Sequence, residues 1–167
     1  WRFDLPHAPP SLPPNDKPLW DGEPMPDGTL MLIADQGFGD TIQFCRYIPM
    51  AAERCSRILM ACSKEMQPIV MQQKGIIEYY DRWEELPAFD AYCSLSGLPK
   101  LFDTDIDNIP APIPYVKADP GKSAHWRKNL DALTPPGYRR IGLAWAGRPT
   151  HGNDFNRSTS LQKLSTL

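Results

Sequence analysis

The sequence predicts an α/β fold, a parallel β-sheet with flanking helices, and three observations carry that reading. Short, largely apolar runs recur at Leu30–Ala34, Arg57–Cys62, Ala91–Leu95 and Arg140–Ala146, as strands buried on both faces require. Polar loops follow the first, third and fourth of these runs. Helical segments with apolar residues every three to four positions come next, so strand and helix alternate along the chain.

Bulk properties narrow the function classes. A chain of 167 residues suits one domain of ordinary size, and 41% hydrophobic with 23% charged residues is a globular balance. The net charge of -2 carries no nucleic-acid footprint. No apolar run reaches membrane-spanning length and no signal-peptide pattern opens the chain, so a cytoplasmic location is expected. Cys45, Cys55, Cys62 and Cys93 show no CxxC spacing and read as reduced core residues. The 19 prolines gather at Pro6–Pro26 and Pro110–Pro120, which marks linkers.

Residues 1–28 read as a proline-rich arm without periodicity. The chain starts on Trp1 and not on methionine, so further residues are expected upstream. Trp1, Phe3, Leu19 and Trp20 are too apolar for a free tail, and Leu19-Trp20 is expected to pack on the domain, with Asp21-Gly22 as a turn. Residues 29–138 form the main domain. Its first strand, Leu30–Ala34, enters the loop Asp35-Gln36-Gly37-Phe38-Gly39-Asp40, then a helix through Ile42, Cys45 and Ile48. Gly37 and Gly39 are expected to permit a sharp turn and a close approach. Asp40 is placed as helix N-cap with Gln43 at N3, a capping box. A cap leaves one carboxylate oxygen free, so Asp40 is also a candidate general base.

The loop is a poor dinucleotide fingerprint, because Ile42 stands where a third glycine belongs. Asp40 also argues against a phosphate here. Two such charges about 4 Å apart repel by roughly 4 kcal/mol at an effective dielectric near 20. A helix N-terminus returns only about 0.3–1 kcal/mol to an anion. A neutral, hydroxyl-bearing partner fits better.

A second strand at Arg57–Cys62 leads to a helix over Lys64–Gln73, which Gly75 stops, and then to a short strand at Ile76–Tyr80. Glu78, Asp81, Glu84 and Glu85 make an acidic patch with no histidine or cysteine to complete a ligand set, so no metal is expected. Ala91–Leu95 is the third main strand. Ser94 and Ser96 lie at the loop's end of the sheet, where their hydroxyls line the cleft or Ser96 or Gly97 caps the helix Leu98–Phe102. Ile109–Pro114 is a rigid spacer and Tyr115-Val116 a short edge strand. Asp119-Pro120 caps a helix through Leu133 whose stripe is Trp126, Leu130 and Leu133, with His125 beside it.

Residues 139–167 repeat the strand, loop, helix grammar, either founding a second domain or completing the first sheet. Here Arg148, His151 and Arg157 are donors, and Arg157-Ser158 precedes a helix expected from Thr159-Ser160. Either the loop binds an anion at that helix start or Asp154 simply pairs with Arg157.

The segments Pro18–Gly22, Gln36–Tyr47, Ile109–Tyr115, Gly142–Gly147 and Asn153–Ser158 resemble, in order, the glycosyltransferase-like region that follows tetratricopeptide repeats in many bacterial proteins. That region is similar to the heptosyltransferases of glycosyltransferase family nine. The resemblance implies a Rossmann-like sheet, the acceptor-side half of a GT-B fold, with tetratricopeptide repeats upstream. It implies a metal-independent, inverting transfer from a nucleotide-sugar to a hydroxyl acceptor, with no further cofactor. Asp40 would be the base, Gln36, Gly37, Phe38, Gly39 and Ser96 the acceptor contacts, and Asn153, Arg157 and Ser158 the donor-phosphate contacts. A chain ending at Leu167 holds too little of the donor domain to turn over alone. The alternative is a sugar- or protein-binding scaffold that kept the fold without the chemistry.

Overall fold

The computed structural model describes residues 16–110 and 112–164, so the expectations on Trp1 and Phe3 lie outside the described residues. Two compact units divide at Lys117/Ala118.

The first unit is built on a four-stranded parallel sheet: β1 (Met25–Ile33), β2 (Cys55–Ala61), β3 (Ile76–Tyr80) and β4 (Ala91–Ser94), in the order β3-β2-β1-β4. Met31 of β1 lies opposite Leu59 of β2 and Tyr92 of β4. As side chains alternate across a strand, Leu30 and Leu32 join Ile58, Met60, Ala91 and Cys93 on one face, where the helices pack. Met31 and Ile33 join Leu59 and Phe89 on the other, closed by Trp83 and Leu86. Both faces of β1 are therefore buried, which is what its unbroken apolar run encodes.

The helices between strands are short. α1 (Phe38–Phe44) passes through a 3-10 turn at Cys45–Tyr47 into α2 (Ile48–Ala52). Pro49 has no N–H to give the Cys45 carbonyl, and the Ile48 N–H takes that carbonyl instead, tightening the turn. The expected helix over Lys64–Gln73 is likewise a 3-10 turn at Lys64–Met66 followed by α3 (Gln67–Val70), with Pro68 in its first turn. α4 spans Leu98–Leu101.

Trp20 is buried as expected. Its ring N–H donates to the Glu23 carbonyl at 2.8 Å, and its backbone N–H to the Tyr92 carbonyl at 2.8 Å. Leu19, in a parallel bridge to Tyr92, is 60% exposed, contrary to expectation, because neighbouring side chains on an extended segment point opposite ways. The Asp21-Gly22 turn forms, with Gly22 at φ +94° and the Glu23 N–H bonded to Asp21. Tyr115-Val116 is not a strand. The Gln73 side chain donates to the Tyr115 carbonyl at 3.0 Å, and Gln72 bonds both backbone groups of Lys117, doing what a neighbouring strand would do.

All four cysteines are free and buried. Burial first pushes the thiols of Cys45 and Cys62 up to about 11 and that of Cys93, with the Asp35 charge beside it, up to about 12; Cys55 is raised as well. The unfolded chain ionises these thiols near 9, so their contribution to stability is complete below that pH and lost as pH climbs toward 11–12. The urea midpoint should therefore hold between pH 7 and 8.5 and fall at pH 10. Ellman's reagent should stay unreacted with the native chain at pH 8.

In the second unit α5 (Pro120–Leu133) starts as the sequence predicts, with the Asp119 carboxylate accepting the Lys122 N–H at 2.7 Å. No residue of α5 is buried, and its predicted stripe is open, with Trp126 62% and Leu133 81% exposed. The predicted strand at Arg140–Ala146 does not form: this extended segment pairs with no strand among the described residues, and Ile141 is 82% exposed. The helix expected from Thr159-Ser160 is a 3-10 turn at Leu161–Leu164.

Candidate functional site

In the order β3-β2-β1-β4 the strand succession reverses at β1, and the segments leaving β1 and β4 emerge side by side at their carboxyl ends onto the same face of the sheet, at the end where open α/β sheets bind ligands. The segment after β1 carries Asp35, Gln36 and Gly37 and then Asp40 in the first turn of α1, and β4 ends at Ser94 before a 3-10 turn at Leu95–Gly97. The two meet directly. The Ser96 hydroxyl donates to Asp35 Oδ2 at 2.7 Å, and the Ser96 N–H lies 3.4 Å from Asp35 Oδ1. Ser94 Oγ lies 3.4 Å from Ser96 Oγ, and the Gln36 amide lies 3.5 Å from Asp35 Oδ2. Asp35 was the residue sequence reasoning missed. Its only signal was a carboxylate at the end of the first strand, and its partner lies 61 positions away.

Asp40 differs from expectation in position. α1 begins at Phe38, so Gly37 is the N-cap and Asp40 the third helical residue, with no capping box to Gln43. The cause is local: Gly37 sits at φ −68°, ψ 172°, and its carbonyl takes both the Thr41 N–H and hydroxyl, starting the helix three residues early. The Asp40 carboxylate folds back toward Gly37, Oδ2 coming within 3.4 Å of where a Cβ would stand there. It is half-buried and accepts no hydrogen bond from the described residues. Being in the first turn, it gains from the helix dipole. Gly37 and Gly39 do not use left-handed backbone, so the sharp-turn argument for them fails. Gly39 opens onto empty space, with nothing within 4 Å of a Cβ built there, and Phe38 is 55% exposed.

An open depression of about 590 Å³ adjoins Ser96 and is lined by Ser96, Pro99, Lys100, Asp103 and Thr104. Its far wall is fixed by the Thr104 N–H to Pro99 carbonyl bond at 2.8 Å and by left-handed Asp103 at φ +47°.

In the second unit, the Asp154 carboxylate bonds Ser158 and not the Arg157 side chain: the Ser158 hydroxyl donates to Asp154 Oδ1 at 2.6 Å and accepts the Gly147 N–H at 2.8 Å. The N–H groups of Arg157 and Ser158 both go to the Asp154 carbonyl, and that of Thr159 to Trp145. Those amides are committed, so the anion cradle expected before a following helix is not formed by them. Asn153 accepts from the Asn156 amide at 2.7 Å. Arg157 and Asn153 remain exposed.

In the acidic patch, Glu78 accepts from the Tyr80 hydroxyl and Glu85 pairs with Arg82 at 2.6 Å. Among the described residues no group of three or more potential ligands converges on a metal position, and no helix is long and apolar enough to cross a membrane.

No family model matches the chain, and no solved structure matches it. The chain is similar to Protein FlbA of Caulobacter vibrioides, 23% identical over 148 residues. That similarity covers 75% of this chain but only 24% of the relative, so the chain spans about a quarter of that protein's length.

Proposed function

We propose that this chain is the acceptor-side domain of a GT-B glycosyltransferase, acting within a longer protein that carries tetratricopeptide repeats. The reaction moves a sugar from a nucleotide-sugar to a hydroxyl acceptor with inversion and without a metal. Asp40 takes the acceptor's proton as its oxygen attacks the anomeric carbon. The bond to the nucleoside diphosphate breaks, and the cationic side chain of Arg157 meets the charge that develops on the leaving group. Gln36, Gly37, Phe38, Gly39 and Ser96 hold the acceptor. The observation that supports this most is the Asp40 carboxylate, without a hydrogen bond among the described residues, in the first turn of α1 just after β1, where the strand order reverses.

A sugar- or protein-binding scaffold without turnover is the second reading. The exposed Trp126, Leu133, Ile141 and Phe155 favour it. Turnover separates the two. The full-length protein, incubated with UDP-glucose, GDP-mannose or ADP-glucose, should release nucleoside diphosphate, slowly to water and faster with an added hydroxyl acceptor. Silence with every donor would favour the scaffold.

A further inference from the structure

We propose that the depression beside Ser96 is a subsite for an uncharged saccharide end, with Asp35 setting its polarity. The inference deepens the transferase reading and rests on it for the saccharide's role as acceptor.

The argument starts from one proton. The Ser96 hydroxyl has a single hydrogen, and Asp35 takes it at 2.7 Å. In the 3.4 Å contact between Ser94 and Ser96, Ser94 is then the donor. Ser96, which lines the depression, is then left with one lone pair on Oγ and no hydrogen to give. The carboxylate behind it makes that oxygen a stronger acceptor. Its complement is an O–H or N–H donor. An anion would meet only a lone pair with a negative charge behind it.

The rest of the lining agrees. Lys100 and Asp103 bring one charge of each sign, so the wall has no net charge and offers both donors and an acceptor. Thr104 adds a hydroxyl that gives and takes. Pro99 supplies one apolar surface, enough for the C–H face of a sugar ring and too little for an acyl chain. Vicinal hydroxyls, each both donor and acceptor, match this mixture.

The experiment uses the 15N-labelled chain of 167 residues. It is titrated with maltotriose, cellotriose and chitotriose, and in parallel with glucose 6-phosphate and tetra-alanine. At least one neutral trisaccharide should shift amides confined to Ser96–Thr104. Ser96→Ala should weaken that binding about tenfold. Asp35→Asn should abolish the discrimination against glucose 6-phosphate. Thr104→Val, at the rim, keeps the test alive if Ser96→Ala does not fold, and should weaken binding in the same sense. The proposal is overturned if all three trisaccharides are silent, if shifts map elsewhere, if the phosphate or the peptide is preferred, or if the variants bind as the parent does. Binding here without turnover in the full-length protein would remove the transferase and leave the subsite. Turnover without binding here would do the reverse.

Discussion

Asp40→Asn in the full-length protein should lower kcat for sugar transfer by about 10²–10⁴-fold, the usual contribution of a positioned base. KM for the nucleotide-sugar should change little, because the donor is held elsewhere. The substitution is nearly isosteric and keeps a residue tolerated in a first helical turn. The carboxylate is not committed to any hydrogen bond among the described residues, so the amide orphans no partner. The folding cost should be limited to the lost charge–dipole term, about 0.3–1 kcal/mol. The melting temperature therefore checks that the loss is chemical. An unchanged kcat would remove Asp40 as the base and shift attention to Asp35, whose carboxylate reaches the crevice through Ser96.

The sheet was legible because β1 is buried on both faces, and only an unbroken apolar run satisfies that. The loop after it was legible as a loop for its glycines and acids, but its geometry was not. Gly37 adopts ordinary extended backbone, which lets the helix begin before Asp40 and defeats a capping argument drawn from residue types alone. Asp35 was invisible as a site residue because its partner is chosen by strand order. β4 lies beside β1 only because two crossovers run to opposite sides of it, and no local pattern states that. The reverse error explains Arg140–Ala146. Its composition matches β1, yet a strand exists only where a neighbour takes its amides and carbonyls in series, and among the described residues no strand pairs with it, the Thr159 N–H bonding the Trp145 carbonyl singly. Tyr115-Val116 fails for a related reason, since Gln72 and Gln73 occupy carbonyls that a strand would have used.

Gly75→Ala should destabilise the first unit by roughly 2–5 kcal/mol, read as a drop in urea midpoint at unchanged slope. Two costs add. Gly75 sits at φ +104°, where a Cβ costs about 1–2 kcal/mol. That Cβ would also stand 2.2 Å from the Ala52 Cβ at the end of α2, with Ile58 of β2 behind it at 3.9 Å. Neither alanine can rotate away, so α2 or the start of β3 must shift, an overpacking cost of about 1–3 kcal/mol. Gly22→Ala in the same unit isolates the first cost. It shares a left-handed φ of +94°, but its Cβ would meet Arg54 and Leu101 at no less than 3.4 Å. Ala52→Gly in the Gly75→Ala background isolates the second, since removing the facing methyl should recover the steric part, less up to about 1 kcal/mol for a glycine in a helix. If Gly75→Ala costs no more than Gly22→Ala, or if Ala52→Gly recovers nothing, α2 and β3 are not held at the separation described here. The seating of the edge strand would then rest on the β2–β3 hydrogen bonds alone.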